Sequence, residues 1–299
     1  MTGSERVIVM KIELLETSKS YGSKQALKSV STTIEPNKIV GLLGRNGAGK
    51  TTMLQILAGH IKPSDGRVLI NGLEPFNNRK ALQHICLISE ANNFKRKLKI
   101  REVLKTVSRF YPNWSQETAE RLLKTFNLDP GMSAKGLSKG MESALSITIG
   151  LSSHTSITIF DEPYIGMDAS ARYKFYDVLL EEYESYPRTF IISTHLIDEV
   201  SSLFEEIILM KEGKILTHES AEELKLKSLQ ISGPRAKVDD FIEGRQVIHA
   251  AEIMGQKTAL LYGEGLDLNK AKAMGLLTER SSIQELMVHL TEKEEKLYV

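Results

Sequence analysis

A single cysteine occurs in 299 residues, which excludes an internal disulfide. That residue, Cys86, lies in the apolar run Ile85-Cys86-Leu87-Ile88, where it reads as a buried structural thiol in a protein of a reducing compartment. Neither sign of charge is in excess, with 39 Lys and Arg against 38 Asp and Glu. A nucleic-acid polyanion is therefore not the expected partner. No stretch approaches the roughly 20 consecutive apolar residues of a membrane span. Met1 to Arg6 are polar, without the apolar segment of a secretory signal, and Met10 is an alternative start. The chain is expected to be soluble.

What the sequence does contain is concentrated at Gly44-Arg45-Asn46-Gly47-Ala48-Gly49-Lys50-Thr51-Thr52, which fits the phosphate-loop pattern G-x-x-x-x-G-K-[ST] without a mismatch. The apolar run Ile39 to Leu43 before it reads as a buried strand, and Met53 to Ala58 after it as a helix. Glycines in such a turn let successive N–H groups face one anion, and the helix that follows aims its positive dipole end at the same place. Lys50 is placed to reach the β- and γ-phosphates of a nucleotide and Thr51 to bring its hydroxyl to Mg²⁺.

The flanking chain reads as a mixed α/β protein. Residues 11 to 40 alternate apolar and polar positions around turns at Tyr21-Gly22-Ser23 and Glu35-Pro36-Asn37, as antiparallel strands do. Tyr21, at a strand end 23 residues before Gly44, is either a strand-end aromatic or a platform for a purine base. An apolar strand from His84 to Ser89 stops at Glu90, a carboxylate that is either a ligand for Mg²⁺ or water or an exposed loop acid. Helical spacing follows at 98–110 and again after Trp114, with Ser115 as N-cap. Phe110, Tyr111 and Trp114 are helix-packing core or a docking surface.

Leu137-Ser138-Lys139-Gly140-Met141 precedes a helix expected from Glu142 to about Leu151. The strand Ser156 to Phe160 delivers Asp161 and Glu162, and Pro163 stops it. Adjacent strand residues face opposite sides, so one carboxylate can hold the metal while the other faces an attacking water. Phe190 to Thr194 repeats the arrangement and ends in His195. From Ser228 the periodicity gives strand, helix, strand, strand, helix, strand and a last helix, a small βαββαβ unit closed by that helix.

Taken in order, these stretches resemble the ATP-binding subunit of ABC transporters, over roughly residues 10 to 220. Tyr21 resembles the adenine-stacking aromatic, Gly44 to Thr52 the Walker A loop, Glu90 the Q-loop position and Leu137 to Met141 the signature. Ile157 to Glu162 resembles the Walker B strand, Gly166-Met167-Asp168 the D-loop and His195 the switch histidine. The signature departs from the common Leu-Ser-Gly-Gly-Gln, and Glu90 stands where Gln is usual. The Ser-Lys-Gly-Met variant and the runs at 161–164 and 193–200 are similar to ATPases of the ABC-2 export type, including those of bacitracin-resistance and phenol-soluble-modulin exporters.

The resemblance implies a P-loop NTPase core at 10–220 with an antiparallel β subdomain and a helical subdomain at about 95–152. A small α+β accessory domain would occupy 221–299. It implies ATP held by Tyr21, Gly44, Asn46, Gly47, Ala48, Gly49, Lys50, Thr51 and Thr52, with Ser138, Gly140 and Asp168 supplied across a dimer. Mg²⁺ would be held by Thr51, Asp161 and Glu90; Glu162 would be general base, and His195 would contact the γ-phosphate. The implied partners are a separate membrane permease and a second ATPase subunit, which would hold the protein on the cytoplasmic face of the membrane. Two alternatives stand beside this. Lys139, Met141 and Glu90 suggest a non-hydrolysing regulatory subunit, and a soluble ABC protein acting on nucleic acid or ribosomes would need a coiled coil or a second cassette that the sequence lacks.

Overall fold

In the computed structural model of the protein, residues 10–89 and 97–292 are described. Glu90, a candidate metal ligand, lies outside them. The chain begins with β1 (Ile12–Tyr21) and β2 (Lys24–Ile34), antiparallel to each other. Strand β3 (Ile39–Gly44) is buried along its whole length and leads through the phosphate loop into α1 (Lys50–Leu57). Strand β4 (Asp65–Ile70) returns to pair with β1, giving a three-stranded antiparallel sheet β2-β1-β4.

After α2 (Arg79–Leu82) and β5 (Ile85–Ile88) comes the helical region, with α3 (Ile100–Val107), α4 (Gln116–Thr125) and α5 (Lys139–Ser152). Ser115 caps α4 as its residue type predicts, its Oγ accepting from the Thr118 amide at 3.1 Å. Helix α5 starts three residues earlier than expected. The Ser138 Oγ accepts from the Met141 amide at 3.2 Å, and that cap draws Lys139, Gly140 and Met141 into the first turn. Of the aromatic trio, Tyr111 and Trp114 pack on the core, whereas Phe110 is 71% exposed.

The chain continues through β6 (Ile157–Asp161), α6 (Ala169–Ser185), β7 (Thr189–Ser193), α7 (Ile197–Val200), β8 (Glu206–Lys211), β9 (Lys214–Ser220) and α8 (Ala221–Leu226). The central sheet has the order β5-β6-β7-β3-β8-β9 and is parallel up to β8. Its middle strands read as continuous apolar runs because both faces are covered. On one face Val40, Leu42, Ile159 and Ile191 pack with Met53 and Leu57 of α1 and with Ile12 and Val68 of the small sheet. On the other, Leu43, Phe160, Phe190 and Ile192 pack with Leu145 of α5 and Phe175 and Leu179 of α6.

A second sheet follows, from β10 (Ser228–Pro234), α9 (Arg235–Ile242), β11 (Val247–Ile253), β12 (Gln256–Tyr262), α10 (Leu268–Ala273) and β13 (Leu277–Glu279), in the order β11-β12-β10-β13. It has a core of its own, made of Leu229, Ile231, Val238, Phe241, Ala259, Leu261, Ala271 and Leu276. The last helix, α11 (Ile283–Thr291), covers this unit on one side, where His289 stacks on His249 of β11 with ring centres 4.1 Å apart, and reaches the central sheet on the other. Its apolar residues Ile283 and Leu286 join the core of the central sheet. The Lys211 ammonium fixes its end by donating to the carbonyls of Leu290 (3.2 Å) and Glu292 (2.7 Å), the favourable place for a cation on a helix.

Candidate nucleotide site

In a parallel sheet the loops that follow the strands gather at one edge, where α/β ligands bind. Here β3, β6 and β7 are neighbours, and their register aligns Leu42 with Ser193 and Ser193 with Asp161. The phosphate loop, the carboxylate pair and His195 are therefore brought to one place by strand order.

The loop itself is built on close backbone approach. At Gly44 (φ 152°) a Cβ would lie 2.5 Å from the Met210 carbonyl oxygen, and at Gly49 (φ 108°) 2.6 Å from that of Ala26. Both backbone conformation and space exclude a side chain there. Arg45, Asn46 and Gly47 form the exposed tip, Ala48 is buried, Thr51 is exposed and Thr52 half-buried.

Lys50 is only 8% exposed, and its ammonium donates to the Gly44 carbonyl at 2.6 Å. Burial pushes its pKa below the ordinary lysine value, while Glu162 and Asp161 nearby pull it back up. A cation so desolvated interacts far more strongly with an incoming phosphate than an exposed one.

The two carboxylates have separate fates, as alternation along the strand predicts. Asp161 is buried and accepts from the Ser193 hydroxyl. Glu162 leaves the strand in the left-handed region (φ 50°), which costs a non-glycine residue on the order of 1–2 kcal/mol. This turn sends its carboxylate to His195 Nδ1 at 2.7 Å. Burial raises the Glu162 pKa, with His195 and Lys50 opposing. A carboxylate tuned upward, paired with an imidazole and set beside a buried ammonium, suits proton transfer near an anionic substrate.

Ser138, Gly140 and Asp168 form a second group. Ser138 caps α5, the Asp168 carboxylate accepts from the Ala171 amide at 2.8 Å as N-cap of α6, and Ser143 Oγ donates to the Ile165 carbonyl at 2.7 Å. A Cβ on Gly140 would lie 2.6 Å from the Gly166 carbonyl oxygen. Among the described residues no hydrogen bond or ion pair joins this group to Lys50 or Glu162. Tyr21 stands at the end of β1 about half exposed, with the Lys19 ammonium 5.4 Å from its ring centre.

Sequence reasoning passed over Ser193 and Tyr164. Ser193 was findable as the last strand residue before Thr194-His195, on a strand whose end gathers at the same sheet edge as that of Asp161. Tyr164 entered only as the last residue of the run 161–164, with no role of its own.

A buried lysine in a glycine-shaped loop between a parallel strand and a helix, with two carboxylates nearby at the end of β6, two strands away in the same sheet, defines a P-loop nucleotide-binding protein. A family model described as ABC transporter matches residues 27–165. The chain is 30% identical over 224 residues to the ABC transporter ATP-binding protein NatA of Bacillus subtilis (strain 168), covering 71% of this chain and 91% of that one. It is 29% identical over 220 residues to the bacitracin transport ATP-binding protein BcrA of Bacillus licheniformis, covering 73% and 72%. It thus belongs to the ATP-binding subunit family of ABC transporters. The fold matches a dimeric ATP-binding cassette bound to ADP and Pi, with a TM-score of 0.62 at 24% identity over 70% of this chain and 98% of that one. Among the described residues no helix is long and apolar enough to cross a membrane.

Proposed function

We propose that this chain is the ATP-hydrolysing subunit of a bacterial export system, working as one of two ATPase subunits beneath a separate membrane permease. The observation that carries the reading is the meeting of Lys50, Asp161, Glu162 and His195 at one sheet edge. Nucleotide binds with its phosphates against the loop amides and Lys50, and its base against Tyr21. The exporter reading draws on the likeness to a bacitracin transport protein, and the cargo belongs to the permease.

The residues present fit Mg²⁺, which takes one or two carboxylates, hydroxyls and substrate phosphates rather than a cage built from protein alone. Thr51 and Asp161 would hold the ion, with Glu90 as a further ligand, and the ion would neutralise phosphate charge. Glu162 takes the proton of the attacking water. His195, hydrogen-bonded to Glu162, orients that carboxylate and contacts the γ-phosphate.

Ser138 and Gly140, at the start of α5, serve the nucleotide of the other subunit, with Asp168 at the same interface. The positive end of α5 then faces the γ-phosphate from across a head-to-tail dimer. Steady-state Mg·ATP hydrolysis by the purified chain should rise faster than linearly with protein concentration. It should fall at least about 100-fold in Glu162→Gln, the weight of a general base, with ATP binding kept and the dimer trapped. Full turnover in that variant would remove Glu162 from the role. Binding without hydrolysis by the unaltered chain would favour the regulatory reading.

A further inference from the structure

Two residues beyond the general base, at the end of the same loop, lies Tyr164, only 2% exposed. Its ring stands edge-on to the His195 imidazole, with centroids 6.3 Å apart and planes at 63°. The imidazole thus has both the Glu162 carboxylate and this phenol as neighbours, while remaining largely exposed. Among the described residues the Tyr164 hydroxyl proton has no acceptor. The Leu196 amide, which donates to Thr194 Oγ1 at 2.8 Å, also leans on the Tyr164 oxygen, but an amide N–H can only donate. The Glu199 carboxylate is held by Arg172 at 2.7 and 2.8 Å and by the Tyr176 hydroxyl at 3.3 Å.

A buried hydroxyl whose proton has no acceptor destabilises the arrangement that strands it. It favours any rearrangement that brings it an acceptor. The segment that borders it, residues 194–199, carries His195, the group that must meet the γ-phosphate in the mechanism above.

We propose that Tyr164 is a positioning residue for His195: its ring backs the imidazole, and its hydroxyl, stranded in the nucleotide-free chain, gains an acceptor on segment 194–199 when that segment shifts to engage the γ-phosphate. The inference rests on the ATPase reading of the site. Tyr164 touches no substrate, and it acts by lowering the free energy of the engaged arrangement relative to the resting one.

Tyr164→Phe keeps the ring and deletes only the hydroxyl. The nucleotide-free variant should melt about 2 °C or more above the unaltered chain, since an unsatisfied buried group is gone. Its ATP affinity, measured by titration, should stay within about twofold, while kcat falls about tenfold, the weight of one hydrogen bond made only in the engaged state. Tyr164→Leu, which also removes the ring, should lower kcat further and not be rescued by higher ATP. A lower melting temperature in Tyr164→Phe would mean that the hydroxyl is already paired at rest, and an unchanged kcat would mean that it gains nothing on engagement. Either result overturns the inference while leaving the ATPase reading intact. Absence of hydrolysis by the unaltered chain would instead strike the ATPase reading, and the inference with it.

Discussion

The phosphate loop and the start of α5 lie in the same chain and are both glycine-bearing helix N-termini, yet they are built differently. At the loop, Lys50 is buried against its own backbone with Asp161 and Glu162 nearby, so the groups proposed to meet phosphate already stand together within one chain. At α5, the Ser138 Oγ is engaged as a cap and Gly140 is pressed on the Gly166 backbone, and among the described residues no hydrogen bond or ion pair joins them to a buried cation. One region holds a buried charge, while the other presents only a helix N-terminus. The difference argues for a site completed by a second subunit.

The sharpest way to break this comparison is to loosen the helical region that carries α5. Arg121 of α4 meets Glu182 of α6 at 2.5 Å, and His154 and Arg188 lie 3.1 and 3.6 Å from the other Glu182 oxygen. Burial alone would raise the Glu182 pKa, but His154, Arg188 and Arg121 outweigh it and hold it below the ordinary value. Glu182→Gln leaves Arg188 buried without its counter-charge and should cost about 3 kcal/mol of stability in denaturant unfolding. Because the folded-state pKa is depressed, this contribution is present at neutral pH and is lost as pH falls below about 4. The difference between variant and parent should therefore shrink in acid, and a constant difference would mean that the pair carries no charge-dependent weight.

Next in size is Lys50→Ala, which removes the desolvated cation. ATP affinity should fall about 100-fold, the value of two charge-assisted hydrogen bonds, while unfolding of the nucleotide-free chain changes little. Retained affinity would show the loop amides to be sufficient and erase the contrast with α5. Smaller again, Gly140→Ala forces its Cβ against the Gly166 carbonyl and should cost about 1–3 kcal/mol through displaced backbone. It should lower turnover about tenfold with ATP binding by the single chain unaffected. The smallest effect is expected for Ser138→Ala, which loses the cap of α5, about 1 kcal/mol in unfolding. Equal loss of ATP binding in Gly140→Ala and Lys50→Ala would mean that both regions serve one nucleotide in one chain.

Much of this was readable from residue order. The phosphate loop, the strand delivering Asp161 and Glu162, and the strand leading to His195 each follow from local patterns: a glycine spacing, a β-branched run, a proline stop. The strands and helices of residues 228–279 followed from periodicity for the same reason, since each buries one face of itself. Position 90 was also singled out by its place at a strand end, and it lies outside the described residues.

Other features depended on contacts far apart in the chain. Helix α11 has an apolar stripe that any neighbour could cover, so periodicity identified the helix but not its host. Lys211, 79 residues before Leu290, the core around Ile283 and the stacking of His289 on His249 place it between the central sheet and β11. The early start of α5 was set by one side-chain cap that outweighed the modest helix propensity of Lys-Gly-Met. The strained turn at Glu162, the hold of Ser193 on Asp161 and the stranded hydroxyl of Tyr164 arise where neighbouring strands bring loops together. Local pattern chose the elements and the chemistry of the site, because backbone propensity and motif spacing act within a few residues. Packing chose which carboxylate is buried, which is turned to His195 and where the last helix rests, because burial and hydrogen bonding are settled only when distant segments meet.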